Sequence, residues 1–486
     1  MPEDDSRPNI TAFTPSHRTL DKKWLIACVL IFIVIIAGIL INNHFARNNS
    51  SETTGYIDID NGDTKVNWSR YTTQDIELSA PITITSSGVY HLTGSIADGA
   101  VIIDSGVKGE VKLILDNVSI ANTAGPAISC VSGDDLVIEL IGFNELKDGT
   151  SYDDTLDEDI SGAIYSKADL AFAGEGSLDV TANYQDAIVG KDDVKFDGGT
   201  YTIVAADDGI RGKDSVYITD GHFDIVSQQD AIKSTNDTDT SKGFVLIEGG
   251  DIQISAGDDG IHGEHSLIIQ SGSIVIAKSY EGLESPTITI NGGDISIVSS
   301  DDGINAGSNS SSSIAPQSDV DENCIVAIND GDIYVNSSGD GIDSNGYIYF
   351  NGGTIIVEGP TNNDNGALDS GAGITMNGGT VVAVGSSGMA ETLGSTSSVF
   401  NLSIFFASSI PAGATLAIRD SAGSTIVEHT SAKAFTNATI GSADFSLGGT
   451  YTIYLDNEKY QDFTIGSITT TIGNSRSNMM PPPGRK

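Results

Sequence analysis

One short phrase, an acid then a small then an aliphatic residue, returns through the chain. It reads Asp-Asp-Gly-Ile at 207–210, Gln-Asp-Ala-Ile at 229–232, Asp-Asp-Gly-Ile at 258–261 and Tyr-Glu-Gly-Leu at 280–283, at steps of 22, 29 and 22 residues. A second marker, Gly199, Gly221, Gly250, Gly272, Gly293, Gly331, Gly353 and Gly379, steps by 22, 29, 22, 21, 38, 22 and 26, in time with the acidic row. Two markers that drift together make each step one structural coil and the excess a loop. A coil of about 22 residues has room for three short strands and none for helices. The pattern therefore predicts an all-β solenoid, a parallel β-helix whose coils stack ~4.8 Å apart around rows of aliphatic side chains.

The aliphatic position, Ile188, Ile210, Ile232, Ile261, Leu283, Ile304, Ile342 and Leu368, supplies one such row. Two residues before the Gly marker stand Asn291, Asn329, Asn351 and Asn377, which are expected to hydrogen-bond to one another along the stack. Three insertions, at 147–159, 234–242 and 306–323, leave the frame beside the phrase row, where loops commonly wall a solenoid's binding face.

The remaining organisation follows from composition shifts. Residues 1–23 read as a cytoplasmic tail, and 24–41, eighteen residues without a charge, read as a single-pass transmembrane signal-anchor helix of about 27 Å. Arg18, Lys22 and Lys23 before it place everything after residue 41 outside the cell membrane, with a cleaved signal peptide as the competing reading. Residues 42–74 form an extracellular linker, 75–394 the β-helix, 395–472 a small β domain that caps its open end, and 473–486 a disordered tail.

The 486 residues carry 24 Lys plus Arg against 66 Asp plus Glu, a formal charge of −42, which repels nucleic acid and excludes it as a partner. Three cysteines and seven histidines show no cluster at zinc spacing, so zinc and thiol chemistry are set aside.

The acid of the phrase is the strongest chemical signal. Asp186, Asp208, Asp230, Asp259, Glu281, Asp302 and Asp340, with Asp207, Asp258 and Asp301 doubling three of them, form a carboxylate ladder that must be hydrated or bridged by cations. Calcium, with its six to eight oxygen ligands, suits such a ladder better than magnesium does. The alternative is that Asp-Gly only turns the chain. Just after the aliphatic row lie Arg211, Lys233, His262 and Glu284, and Tyr280 precedes Glu281; these are the candidate carbohydrate-binding residues. The cations among them could equally pair with neighbouring acids. No nucleophile with its base, and no catalytic residue, can be picked out.

The phrases Asp207-Asp208-Gly209-Ile210-Arg211-Gly212-Lys213-Asp214, Gln229-Asp230-Ala231-Ile232-Lys233-Ser234 and Tyr280-Glu281-Gly282-Leu283-Glu284-Ser285 resemble those of bacterial carbohydrate-binding β-helix proteins, of the clostridial cellulose- and acidic-sugar-binding type. The resemblance covers roughly residues 75–394. It implies a right-handed parallel β-helix like that of pectate lyases, calcium on the acidic row, and cellulose or uronate polysaccharide bound at the cell surface. Ala231 in place of Gly and Glu281 in place of Asp are departures that weaken particular sites. The expectation is a calcium-dependent polysaccharide-binding protein. A polysaccharide lyase using calcium with Lys233 or Arg211 as base, and a structural surface adhesin, are the alternatives.

Overall fold

A computed structural model describes residues 66–307 and 320–473. The strands wind as coils of three. The phrase strand of each coil joins a 12-stranded parallel sheet running from Ile82–Ile84 to Leu368–Ser370. In its register Ile188, Ile210, Ile232, Ile261, Leu283, Ile304, Ile342 and Leu368 lie one above another, none more than 2% exposed. A middle strand and a third strand of each coil pair in parallel with those of the next coil, as Ser266–Ile269 does with Thr287–Ile290 and Asp251–Ser255 with Ser273–Ser279. Between middle and third strands sits the Gly row, at φ from 75° to 136°. In Gly250, Gly272, Gly293, Gly331, Gly353 and Gly379 a Cβ would also come within 2.4–3.0 Å of the carbonyl oxygen of the Gly one coil back, so only glycine fits the corner.

The core is a column of aliphatic side chains, with one aromatic stretch. Phe172 stacks on Phe196 and Tyr201 on Phe223, each at 4.8 Å, and the two stacks meet edge to face. The insertion beginning at Asp148 folds back over the outer side of the phrase sheet, where Tyr152, Leu156 and Ile160 cover Tyr165 and Val189. Cys130 and Cys324 are buried free thiols.

The last coil strand, Thr380–Gly385, is not left as an open edge. Phe435–Ser442 pairs with it antiparallel, and Asn401–Ile410 extends the sheet. A four-stranded antiparallel sheet, Thr425–Thr430, Thr415–Asp420, Thr450–Leu455 and Glu458–Thr464, packs with them around Leu402, Ile404, Leu416, Ile418 and Ile453. Lys433 pins this cap to the coils by donating to the carbonyls of Ser337, Glu358 and Gly359.

The expected transmembrane helix is corrected. Among the described residues only the three-residue 3-10 turn Trp68–Arg70 is helical, and no helix is long and apolar enough to cross a membrane. Residues 24–41, expected to form the anchor, lie outside the described residues, as do 1–23, 42–65, 474–486 and Cys28. The described fold is all-β, and the single-pass cell-membrane placement is not carried further.

Candidate functional site

The acids of the phrase sit where the chain turns from the third strand into the phrase strand. Their spacing is set by hydrogen bonds between coils. Asp186 Oδ1 accepts from the Asp208 amide at 3.1 Å, Asp208 Oδ1 from the Asp230 amide at 3.1 Å, and Asp230 Oδ1 from the Asp259 amide at 2.9 Å. The same link recurs from Asp340 to Asp302 at 2.6 Å. Glu281, one methylene longer, instead accepts from Asn305 at 2.9 Å. One oxygen of each aspartate therefore does the turning, and the other remains for a partner.

For Asp186, Asp230 and Asp259 that partner is a side-chain cation, whereas Asp208 forms no ion pair among the described residues and is raised to about 7 by burial and by Asp186 and Asp230. Arg211 Nη2 is 2.6 Å from Asp186 Oδ2 and also donates to Ser161; Lys233 pairs with Asp230 Oδ2. His262 Nδ1 lies 2.6 Å from Glu284 Oε2 and 3.4 Å from Asp259 Oδ2. Burial alone would lower the His262 pKa, but hydrogen bonds to Asp259, Glu264 and Glu284 outweigh it and push it up to about 11. Lys233 too is raised, burial being overcome by Asp230. Arg211, Lys233, His262 and Glu284 are thus engaged with one another's acids, while Tyr280 is 47% exposed and raised to about 12 by its hydrogen bond to Asp301.

Carboxylates come together in threes as Asp186, Asp207 and Asp208, and as Asp230, Asp258 and Asp259, with ligand atoms within 4.8 Å of one another. Calcium fits these groups poorly. Asp186 and Asp230 already hold a guanidinium and an ammonium where the ion would need oxygen.

The lower coils differ. Among the described residues Asp301, Asp302, Asp340, Asp343 and Asp369 form no ion pair. Burial, reinforced in the first three by neighbouring carboxylates, lifts Asp302 to about 6, Asp340 to about 7 and Asp343 to about 8, and raises Asp369. Glu391, beside Asp369 and Asp340, is lifted to about 7 for the same reasons. A Cβ at Gly339 would come within 2.3 Å of Asp302 Oδ1 and 2.4 Å of Asp301 Oδ1, so the glycine leaves a cradle faced by two carboxylates. The repeat places Asp301, Asp302 and Asp340 in the acidic row and Asp343 and Asp369 in the neighbouring outward row, but does not join the two rows into one group and gives no sign of Glu391. Glu391 follows the end of the repeat, where no register signal exists.

These raised values have a consequence for stability. An acid whose folded pKa lies above its unfolded value of 3.8 or 4.5 binds more protons folded than unfolded between the two values, so its burial costs stability as pH rises through the folded value. The melting temperature is expected to rise by several degrees as pH falls from about 8 to about 5. A flat thermal melting profile over that window would contradict it.

The middle sheet presents a different surface. Five successive strands, Ser266–Ile269, Thr287–Ile290, Ile325–Ile328, Tyr347–Phe350 and Gly373–Met376, point Leu267, Ile288, Val326, Ile348 and Ile374 inward. Alternation turns Ser266, Ile268, Thr287, Thr289, Ile325, Ala327, Tyr347, Tyr349, Gly373 and Thr375 outward. The next residue of each coil forms an amide ladder. Asn291 donates to Gln270 at 2.9 Å, Asn329 to Asn291 at 2.7 Å, Asn351 to Asn329 at 2.8 Å and Asn377 to Asn351 at 2.9 Å. None of these outward positions is charged, in a chain of −42. Tyr347 and Tyr349 lie side by side with ring centres 5.8 Å apart and planes 27° apart, beside the open space at Gly373. The result is a flat polar and aromatic strip of about 20 Å along the stack.

Comparison with known proteins bears on what such a surface meets. Residues 79–315 match the family described as carbohydrate-binding domain-containing protein. A protein of that description from Acetivibrio thermocellus is 36% identical over 128 residues, which are 26% of this chain and 45% of that protein; the chain thus spans about half the length of the curated relative it matches. A solved structure titled as a polysaccharide lyase-like protein from C. thermocellum, a gadolinium derivative, is 31% identical, covering 46% of this chain and 92% of that chain with a TM-score of 0.39.

Proposed function

We propose, for a chain whose residues 79–315 match the carbohydrate-binding domain-containing family, that the uncharged strip of the middle sheet binds a linear, uncharged polysaccharide such as cellulose. The observation that carries this reading is the absence of charge at the outward positions of five successive middle strands of so acidic a protein. A pyranose ring offers C–H faces that stack on Tyr347 and Tyr349 and hydroxyls that bond to the amides of Gln270, Asn291, Asn329, Asn351 and Asn377. The strip is built on paired strands, and its amides already hold one another in place, so little side-chain freedom is lost on binding. An acidic polymer would meet the repulsion of the whole surface, whereas a neutral one meets none. Cosedimentation with insoluble cellulose tests it: the protein should partition to the pellet at high as well as low salt, and a protein left in the supernatant at both would remove the proposal.

The Gly339 cradle supports a second reading, for uronate polysaccharide. Asp301, Asp302 and Asp340 would hold calcium there, with Asp343 and Asp369 nearby, and the ion would supply the positive charge through which an acidic sugar is attracted. Retention of the protein on immobilised polygalacturonate should then require calcium and be abolished by chelator; retention indifferent to chelator would exclude the calcium role.

Lyase chemistry is disfavoured by the pairing of the two candidate bases. Lys233 is held protonated by Asp230, and Arg211 is tied to Asp186 and Ser161, so neither is free to take a proton from a sugar carbon. Polygalacturonate incubated with the protein and calcium is expected to develop no ultraviolet absorbance from unsaturated sugar ends; a steady rise would reinstate an enzyme.

A further inference from the structure

We propose that Asp259, His262 and Glu284 form a binding site for a divalent first-row transition ion, with zinc as the representative. The site is independent of the polysaccharide strip and of the calcium cradle. His262 and Glu284 face each other in register on adjacent phrase strands, and Asp259 comes from the turn that leads into the His262 strand. Their three ligand atoms lie within 4.8 Å of one another, and Asp259 and His262 are 6% and 9% exposed.

The chemistry of the row separates this coil from its neighbours. Arg211 and Lys233 hold the equivalent positions two and one coils away; Arg211 is always charged and Lys233 is held protonated by Asp230, so both form ion pairs. His262 is the member of the row that can give up a proton and offer a lone pair. It also faces three carboxyl groups, more than one imidazolium can pair with. Asp259 and Glu284 flank Nδ1, and Glu264 Oε2 stands 3.8 Å from Nε2. A divalent ion on Nδ1 matches that excess. The proton it displaces goes to solvent, and Glu264 faces the ring nitrogen that keeps its hydrogen, as carboxylates behind metal-bound imidazoles do.

The distances agree with this occupant. Two ligands each about 2.1 Å from a tetrahedral ion lie about 3.4 Å apart. Asp259 Oδ2 and His262 Nδ1 are already 3.4 Å apart. Glu284, at hydrogen-bond length, needs to withdraw by less than an ångström, which its flexible arm allows. One nitrogen and two oxygens suit zinc, cobalt or manganese better than calcium, and a fourth position stays open to water.

The full chain titrated with cobalt(II) should take up one equivalent at this site and develop visible absorption of four- or five-coordinate cobalt. Zinc should displace it, and calcium at the same concentration should not. His262→Gln and Glu284→Gln should each weaken zinc binding at least tenfold by calorimetry. If either variant fails to fold, X-ray absorption of the zinc-loaded parent chain decides in its place, with one imidazole nitrogen expected in the metal's shell. An oxygen-only shell, equal displacement by calcium, or unchanged affinity in a folded variant would overturn the proposal.

Discussion

Replacing Ala327 and Tyr349 together by aspartate is expected to lower retention on insoluble cellulose by at least about tenfold, the equivalent of 1.4 kcal/mol, with only a modest fall in melting temperature. The two positions are neighbours in register on adjacent middle strands, at the centre of the uncharged strip. Both are partly exposed, so the free protein keeps the new carboxylates in water and still folds, with a modest loss of stability because the two face each other across the strands. Binding changes because a polysaccharide laid over the strip would strip water from two carboxylates while offering them only hydroxyls. Tyr349→Phe is the control, since it keeps the ring face and should leave retention within about twofold. Retention unchanged in the double aspartate variant would move the binding surface elsewhere and return attention to the acid corner.

The second large effect is on stability. Gly303→Val is expected to cost about 1–3 kcal/mol or more, read as a lowered melting temperature. A Cβ at Gly303 would lie 2.1 Å from Val335 Cγ1 and 2.5 Å from the Gly341 carbonyl oxygen. The valine could rotate away, but the carbonyl cannot, because it accepts the Ile304 amide at 3.2 Å and so belongs to the ladder that joins the coils. Ala187, Ala231 and Ala367 hold the same place in other coils and are themselves buried, so a methyl fits where the stacking is slightly looser. Ala231→Gly should therefore be mild, within about 1 kcal/mol. A Gly303→Val variant that melts with the parent protein would mean that the coils yield more readily than close packing allows.

These cases also separate what is readable from the chain. The acid-small-aliphatic phrase encodes three physical needs at once: a carboxylate that accepts the next coil's amide, as Asp208 does for Asp230, a residue small enough to pass the neighbouring carbonyl, and a core side chain such as Ile232. Each need recurs once per coil, so each appears as a period in the sequence. The Asn row is legible for the same reason, since Asn329, Asn351 and Asn377 bond only to their counterparts one coil away. Partners that break the period are not legible. Lys433 reaches back to Glu358 from the cap, and Glu391 joins Asp340 and Asp369 after the repeat has ended.

The row of candidate sugar ligands shows where sequence and structure part. Arg211, Lys233 and His262 stand in a single line in the sequence pattern, and nothing in that pattern tells an ion pair from a free cation. The coil rise and the turn geometry decide it by bringing Asp186, Asp230 and Asp259 against them. The neutral strip has the opposite history. Its residues are unremarkable one by one, and only the pairing of Ser266–Ile269 through Gly373–Met376 assembles them into a surface without charge.

By itself, the sequence determined the coil, its length and the side chains that fill or turn it, because those are contacts between equivalent positions and must repeat. Tertiary structure alone decided which acids are neutralised, which remain in excess around Gly339 and His262, and where an uncharged face lies. Charge balance depends on distances between non-equivalent residues, and these exist only once the coils are stacked.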